Sequence, residues 1–232
     1  MPTPTTWLPP IPGLHRRDPE HRYWLGEVSF PVSVTGVLSV LKSDFAMDRI
    51  EATRDVWAPR GNSCHRALEL FLQLPSRDID DGMTVAADRS VLLDLAGLLQ
   101  GDYADWIQPL VTHERWSAIN VIASERPTCC LKRKVAGTFD VAYIDEDGRR
   151  ILADLKSLGS ESSSTYSTAA QLGGYMALES TWGNLYDAGQ TIWCRPGSTT
   201  FSPLYSVAEC RTSWAGAWAT FKARAAEPGF VS

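Results

Sequence analysis

Two aspartates and a lysine flank a short turn, in AGTFD (136–140) and ADLK (153–156). The turn between them reads DEDG, with strand-like LKRKVAGTFDVAYI before it and RRILADLKS after it. Placing Asp145 opposite Arg149 leaves Glu146, Asp147 and Gly148 as a three-residue hairpin loop with glycine at its left-handed position. Paired residue numbers in an antiparallel ladder have a constant sum, so this register sets Asp140 opposite Asp154. Lys156, two residues on, shares the face of Asp154. Like charges in that geometry destabilise a sheet. Two arrangements relieve the repulsion. Either a divalent cation sits between the carboxylates, or Asp154 pairs with Lys156 at a sheet edge while Asp140 faces water.

Two further pairs stand at helical spacing. His65 and Glu69 are four apart in GNSCHRALE, so they share one helix face. Gln171 and Tyr175 are four apart in QLGGY, on the helix that follows the hairpin. Taken singly, the first pair reads as a surface ion pair and the second as a polar helix edge.

The ordered set GNSCHRALE, AGTFD, ADLK and QLGGY resembles the PD-(D/E)XK nuclease superfamily, in particular its RecB-like branch and related phage exonucleases. The likeness spans residues 22–195, and YWLGEVSFPVSVTGVL (23–38) looks like the lead-in segment of phage members. The resemblance implies an α/β fold with a restriction-endonuclease-like core, a central mixed β-sheet flanked by helices and a helical N-terminal portion. It implies that His65, Asp140, Asp154 and the Leu155 carbonyl bind Mg²⁺ or Mn²⁺, with Glu69 as a further candidate. Lys156 would orient or deprotonate the attacking water, Gln171 would position Lys156 or the DNA backbone, and Tyr175 would support it. Phe139 stands where the family motif has proline, and the second acid is Asp rather than Glu. The cysteines (64, 129, 130, 194, 210) do not match the placement of the iron–sulfur cluster some relatives carry, so no iron–sulfur cluster is expected.

The activity implied is metal-dependent hydrolysis of DNA, exonuclease-like, in recombination, repair or degradation. The alternative is a catalytically silent nuclease-like module that binds DNA or a protein. Lys132, Arg133 and Lys134 form a basic run that either touches phosphates or is a solvated strand end. Of nine tryptophans, Trp214 and Trp218 lie four apart on an apolar helix face and read as core.

These residues need a scaffold to position them. Ser33 or Thr35 caps a helix beginning GVLSVL, a second runs from Ser43 to Trp57 and stops before Pro59, and a third covers 61–74. Pro75 ends the third, and SRDIDDG (76–82) reads as a loop. Two helices broken near Gly101 occupy 85–114, with a strand over 117–125. After the hairpin come a Ser-rich loop, a helix over 168–181, strands over 190–194 and 200–207, and a closing helix over 209–225. Residues 21–34 form a hairpin turned at Gly26. Six prolines in the first nineteen residues mark 1–20 as an extended arm, leaving 21–232 as one domain.

With 232 residues and 44% hydrophobic content, the chain has enough apolar material for a full core. Its net charge of −5 argues against attachment to nucleic acid by bulk positive charge. No run of apolar residues is long enough to span a membrane, and the N-terminus lacks the pattern of a secretory signal. Five cysteines, an odd count without CxxC spacing, fit free thiols in a reducing compartment. A cytoplasmic location is expected, the host's if the chain is phage-encoded, with DNA as partner, no membrane, and the oligomeric state open.

Overall fold

The computed structural model of the protein describes residues 7–17, 22–74 and 89–227. The expected loop at 76–82, the tip of the N-terminal arm and the start of the helix expected from 85 lie outside them.

The chain begins with a three-stranded antiparallel sheet rather than with helices. It is built from β1 (Leu14–Arg17), β2 (Arg22–Leu25) and β3 (Val28–Phe30). Gly26 makes the β2–β3 turn at φ +57°, a left-handed angle that glycine adopts without strain. The part of the expected arm that is described is bound to the domain. Ile11 is buried, Leu8 N–H donates to Ile122 O at 2.7 Å, and the Arg126 guanidinium donates to the carbonyls of Leu8 and Pro9.

After the two-residue strand β4 (Val32–Ser33) come α1 (Val34–Ser39), α2 (Asp44–Ala52) and α3 (Arg54–Gln73). Ser33 caps α1, its hydroxyl accepting from Gly36 N–H. Pro59 does not stop the second helix. The break falls at Thr53, and Pro59 lies inside α3, in its second turn, where it removes one intrahelical hydrogen bond. The burial of Cys64, Ala67, Leu68 and Leu70 carries α3 onward, and Trp57 Nε1 donates back to Ile50 O at 2.8 Å. Next are α4 (Arg89–Leu99), α5 (Ala104–Val111) and α6 (Arg115–Ala118).

The main sheet follows: β5 (Asn120–Cys130), β6 (Val135–Ile144), β7 (Arg150–Ser157), β8 (Ala188–Arg195), β9 (Ser198–Phe201) and β10 (Tyr205–Ser206). Two helices complete the chain, α7 (Ala169–Glu179) and α8 (Val207–Ala225). Residues 131–134, expected as strand, are instead the turn between β5 and β6, and the expected strand over 200–207 is split into β9 and β10. The sheet is mixed. β5–β6 and β6–β7 are antiparallel, β7–β8 and β4–β6 parallel.

Helices cover both faces, making an α/β layered fold. On one face α1, α7 and α8 pack Val34, Val37, Leu172, Trp214 and Phe221 against Phe139, Ala142 and Leu152. On the other, α3, α4 and α5 pack Leu68, Leu95, Ile107 and Leu110 against Val141, Tyr143, Ile151 and Leu155. The paired glycines of QLGGY set the first layer. A Cβ at Gly173 would meet Cys210 O of α8 at 2.0 Å, so only glycine allows the two helices this close. All five cysteines are free and buried. Among the described residues, no helix is long and apolar enough to cross a membrane.

Candidate active site

The β6–β7 hairpin adopts the register expected. Asp145 N–H donates to Arg149 O at 3.0 Å, Gly148 sits at φ +78°, and the ladder runs from Ile144–Arg150 to Val141–Ala153. It stops one pair short of Asp140 and Asp154. β5 runs along one edge of β6. On the other edge β4 pairs only with Val135 and Ala136, and β7 only with Val141 to Ile144. Among the described residues, 137–140 therefore have no strand partner on that edge, and Asp140 lies at the end of this gap. Its Oδ2 accepts from Leu155 N–H at 2.6 Å, so a side chain takes the place of the ladder.

A second irregularity faces the first. Glu125 has φ +42°, a left-handed backbone uncommon outside glycine. Its neighbours pair normally, Ser124 with Val141 and Arg126 with Phe139, but Glu125 and Asp140 between them do not. Strict alternation would place Phe139 and Ala142, three apart, on opposite faces, yet both pack in the same core cluster. Distortions of this kind re-aim side chains next to functional sites. Here Glu125 and Asp140 both reach His65 of α3. His65 Nδ1 lies 3.1 Å from Glu125 Oε1 and 3.3 Å from Asp140 Oδ1. Ligand atoms of the three residues all fall within 4.8 Å of one another.

Asp154 and Lys156 stand beside this group, on the stretch of β7 that pairs only with β8. Asp154 is 1% exposed. Its Oδ1 accepts from Gln171 Nε2 at 2.6 Å. Its Oδ2 makes an ion pair with Lys156 Nζ at 2.7 Å. Tyr175 lies beside Gln171 and lays its ring against Gly137, where a Cβ would lie 2.8 Å from the ring. Gly137 thus leaves room for Tyr175 in the gap.

Electrostatics follow from this crowding. Burial alone would lower the His65 pKa, but the charge and hydrogen bond of Asp140, together with Glu125, raise it well above 6.5. Burial pushes Glu125 up, only partly offset by its bond to His65. Burial acts to raise Asp140 too, but His65, Lys156 and the Leu155 amide outweigh it and hold it below its ordinary value. Burial lifts Asp154 to about 6 despite Lys156. For Lys156, burial is outweighed by Asp154 and Asp140, which keep it above its ordinary value and protonated at neutral pH.

The structure thus gathers His65, Asp140, Asp154, Leu155, Lys156, Gln171 and Tyr175 around the gap. Glu69 is turned away toward Arg66, 2.7 Å from its guanidinium, though its charge reaches Glu125. Lys132, Arg133 and Lys134 form an exposed turn about six residues along β6 from Asp140, roughly 20 Å at the rise of a strand. Arg133 there lies over the Trp218 ring. Glu125 is the residue that sequence reasoning missed. Recognising LKRK as a turn would pair Cys130 with Val135, and the constant sum then carries through to Glu125 opposite Asp140.

The donor set suits a divalent cation. His65, Glu125 and Asp140 offer one imidazole nitrogen and carboxylate oxygens close enough together to hold a metal ion.

No protein-family profile matches the chain, and no curated protein does. Among solved structures, it is similar to one described as the crystal structure of SSO0001. The identity is 14%, with 67% of this chain and 74% of that one covered, at a TM-score of 0.34. A likeness of that size carries no weight for fold or function.

Proposed function

We propose that the protein is a divalent-metal-dependent DNA nuclease with a PD-(D/E)XK-type core, acting in the cytoplasm. The observation that carries this reading is the convergence of His65, Glu125 and Asp140 beside the Asp154–Lys156 pair, at a break in an otherwise continuous sheet. His65, Glu125, Asp140 and Asp154 would hold Mg²⁺ or Mn²⁺, with the Leu155 carbonyl as a further ligand. A bound divalent cation supplies Lewis acidity and a water of lowered pKa.

The chain's own residues supply the rest. Lys156 is an ammonium at neutral pH, so it acts as a fixed positive charge that orients the attacking water and offsets charge on the scissile phosphate. Asp154 holds the ammonium in place from 2.7 Å. Gln171 locks the Asp154 carboxylate, and buried Tyr175 stands beside Gln171. The Leu155 amide fixes the Asp140 carboxylate, so both acids are oriented before substrate arrives.

Incubation with end-labelled linear duplex, single strand and closed circular DNA tests the proposal. Cleavage in Mn²⁺ or Mg²⁺ that EDTA abolishes is the expected result, and the product pattern separates exonuclease from endonuclease action. A folded protein that cleaves none of these DNAs with either metal overturns the reading in favour of a silent binding module.

A further inference from the structure

A groove of about 440 Å³ opens beside Lys156 on the same side of the sheet. Tyr166, Trp193, Phe201 and Tyr205 line it together with small polar residues and Pro203. None of the residues lining it carries a charge. Register fixes its position. Lys156 pairs with Trp193 across β7–β8, and Trp193 pairs with Thr200 across β8–β9. At about 4.8 Å per strand, this row sets the groove floor roughly 5–10 Å from the Lys156 position.

Tyr166 is the exposed element. Its side chain is 54% exposed, whereas Trp193 is 3% exposed. The Tyr166 and Trp193 rings meet at a steep angle, with centroids 5.0 Å apart and planes at 75°, so the two rings are not stacked face to face. Arg195 ties the Ser-rich loop to the sheet, donating to Ser163 O and Thr200 Oγ1 at 3.3 Å. The Tyr166 hydroxyl lies within electrostatic reach of Lys156 and Asp154.

We infer that this groove seats an unstacked nucleobase of a single-stranded DNA segment, about one nucleotide from the phosphate at Lys156. The inference rests on the nuclease reading for the identity of the polymer. The division of chemistry supports it: a cationic position next to a neutral aromatic one matches a phosphate next to a base. A base within a duplex has its faces covered by its neighbours, whereas a single strand offers a free face to an aromatic platform. The groove therefore selects frayed ends or single strands over intact duplex.

The test is fluorescence anisotropy with a 5′-labelled oligothymidylate and a blunt duplex of equal length, in EDTA so that no cleavage occurs. Tyr166→Ala and Tyr166→Leu should each weaken single-strand binding about 5- to 150-fold, the range for loss of one base–aromatic stack. Tyr166→Phe, which keeps the ring, should bind as wild type, and duplex affinity should move little in all three. Wild-type single-strand affinity in folded Tyr166→Leu, equal losses on both DNAs, or no single-strand binding by the wild type would each overturn the inference. The nuclease reading fails separately: a protein that cleaves no DNA in Mn²⁺ but shows the Tyr166-dependent preference retains the groove and loses the catalytic role.

Discussion

Replacing Asp154 with Asn should flatten the pH dependence of stability of the metal-free protein. Asp154 is almost fully buried, and burial lifts its carboxyl from 3.8 to about 6 despite Lys156. The folded chain therefore holds this proton more tightly than the unfolded chain. The stabilisation is fully present below pH 3.8 and is lost as pH rises through about 6. At about 1.4 kcal/mol per pH unit, the loss amounts to about 3 kcal/mol. For a domain of this length that is about 6–12 °C in Tm. Glu125 and His65 also have raised pKa values, but they are common to both proteins. Asp140, held low, acts only below its ordinary 3.8, and Lys156 stays cationic throughout, so it shifts the curve without changing its slope. Thermal unfolding by circular dichroism in EDTA, from pH 4 to pH 7, should show the Asn variant gaining on the wild type by about that amount. Parallel Tm curves would refute the reasoning and place Asp154 in contact with water.

Mn²⁺ affinity should rise with pH through and beyond neutrality, because His65, whose pKa is raised, must release its proton to bind metal; calorimetry in buffers of different ionisation enthalpy reads that proton directly. His65→Ala should weaken Mn²⁺ more than Mg²⁺ and narrow the gap between their activation curves, since an imidazole ligand favours the first-row ion. Gly137→Ala should destabilise by about 1–3 kcal/mol by overpacking, because its Cβ would lie 2.8 Å from the Tyr175 ring in a filled gap. Denaturant midpoints measure that cost, and a neutral result would show that Tyr175 has room to move.

The parts of the site that were legible in the sequence were those governed by short-range rules. The Asp145–Arg149 turn fixed the β6–β7 register because glycine at Gly148 fits only one loop geometry. Helical spacing put His65 and Gln171 each on a defined face, but it was the resemblance of the ordered motifs, not the spacing, that marked them as site residues. Glu125 was hidden because the β5–β6 register depends on reading 131–134 as a turn, and its reach to His65 depends on a left-handed residue in an otherwise paired strand. The basic turn at 131–134 read as strand because Leu131 and Val135 continue an apolar pattern on either side of it. Pro59 misplaced a helix boundary for a related reason. Local propensity disfavours proline there, but the burial of Cys64, Leu68 and Leu70 outweighs one missing hydrogen bond. The gap between β4 and β7 depends on which strands meet β6 from distant parts of the chain, and no local pattern records that.

The central claim is that Lys156 and the acids around it form one hydrolytic unit. The most direct measurement is the initial rate of DNA cleavage in Mn²⁺ by Lys156→Met against wild type, with Mn²⁺ binding recorded on the same samples. The variant should fold, bind Mn²⁺ and lose about 10²- to 10³-fold in rate, the cost of removing a preorganised charge from a reacting centre. A folded variant that binds Mn²⁺ and cleaves at the wild-type rate would contradict that claim.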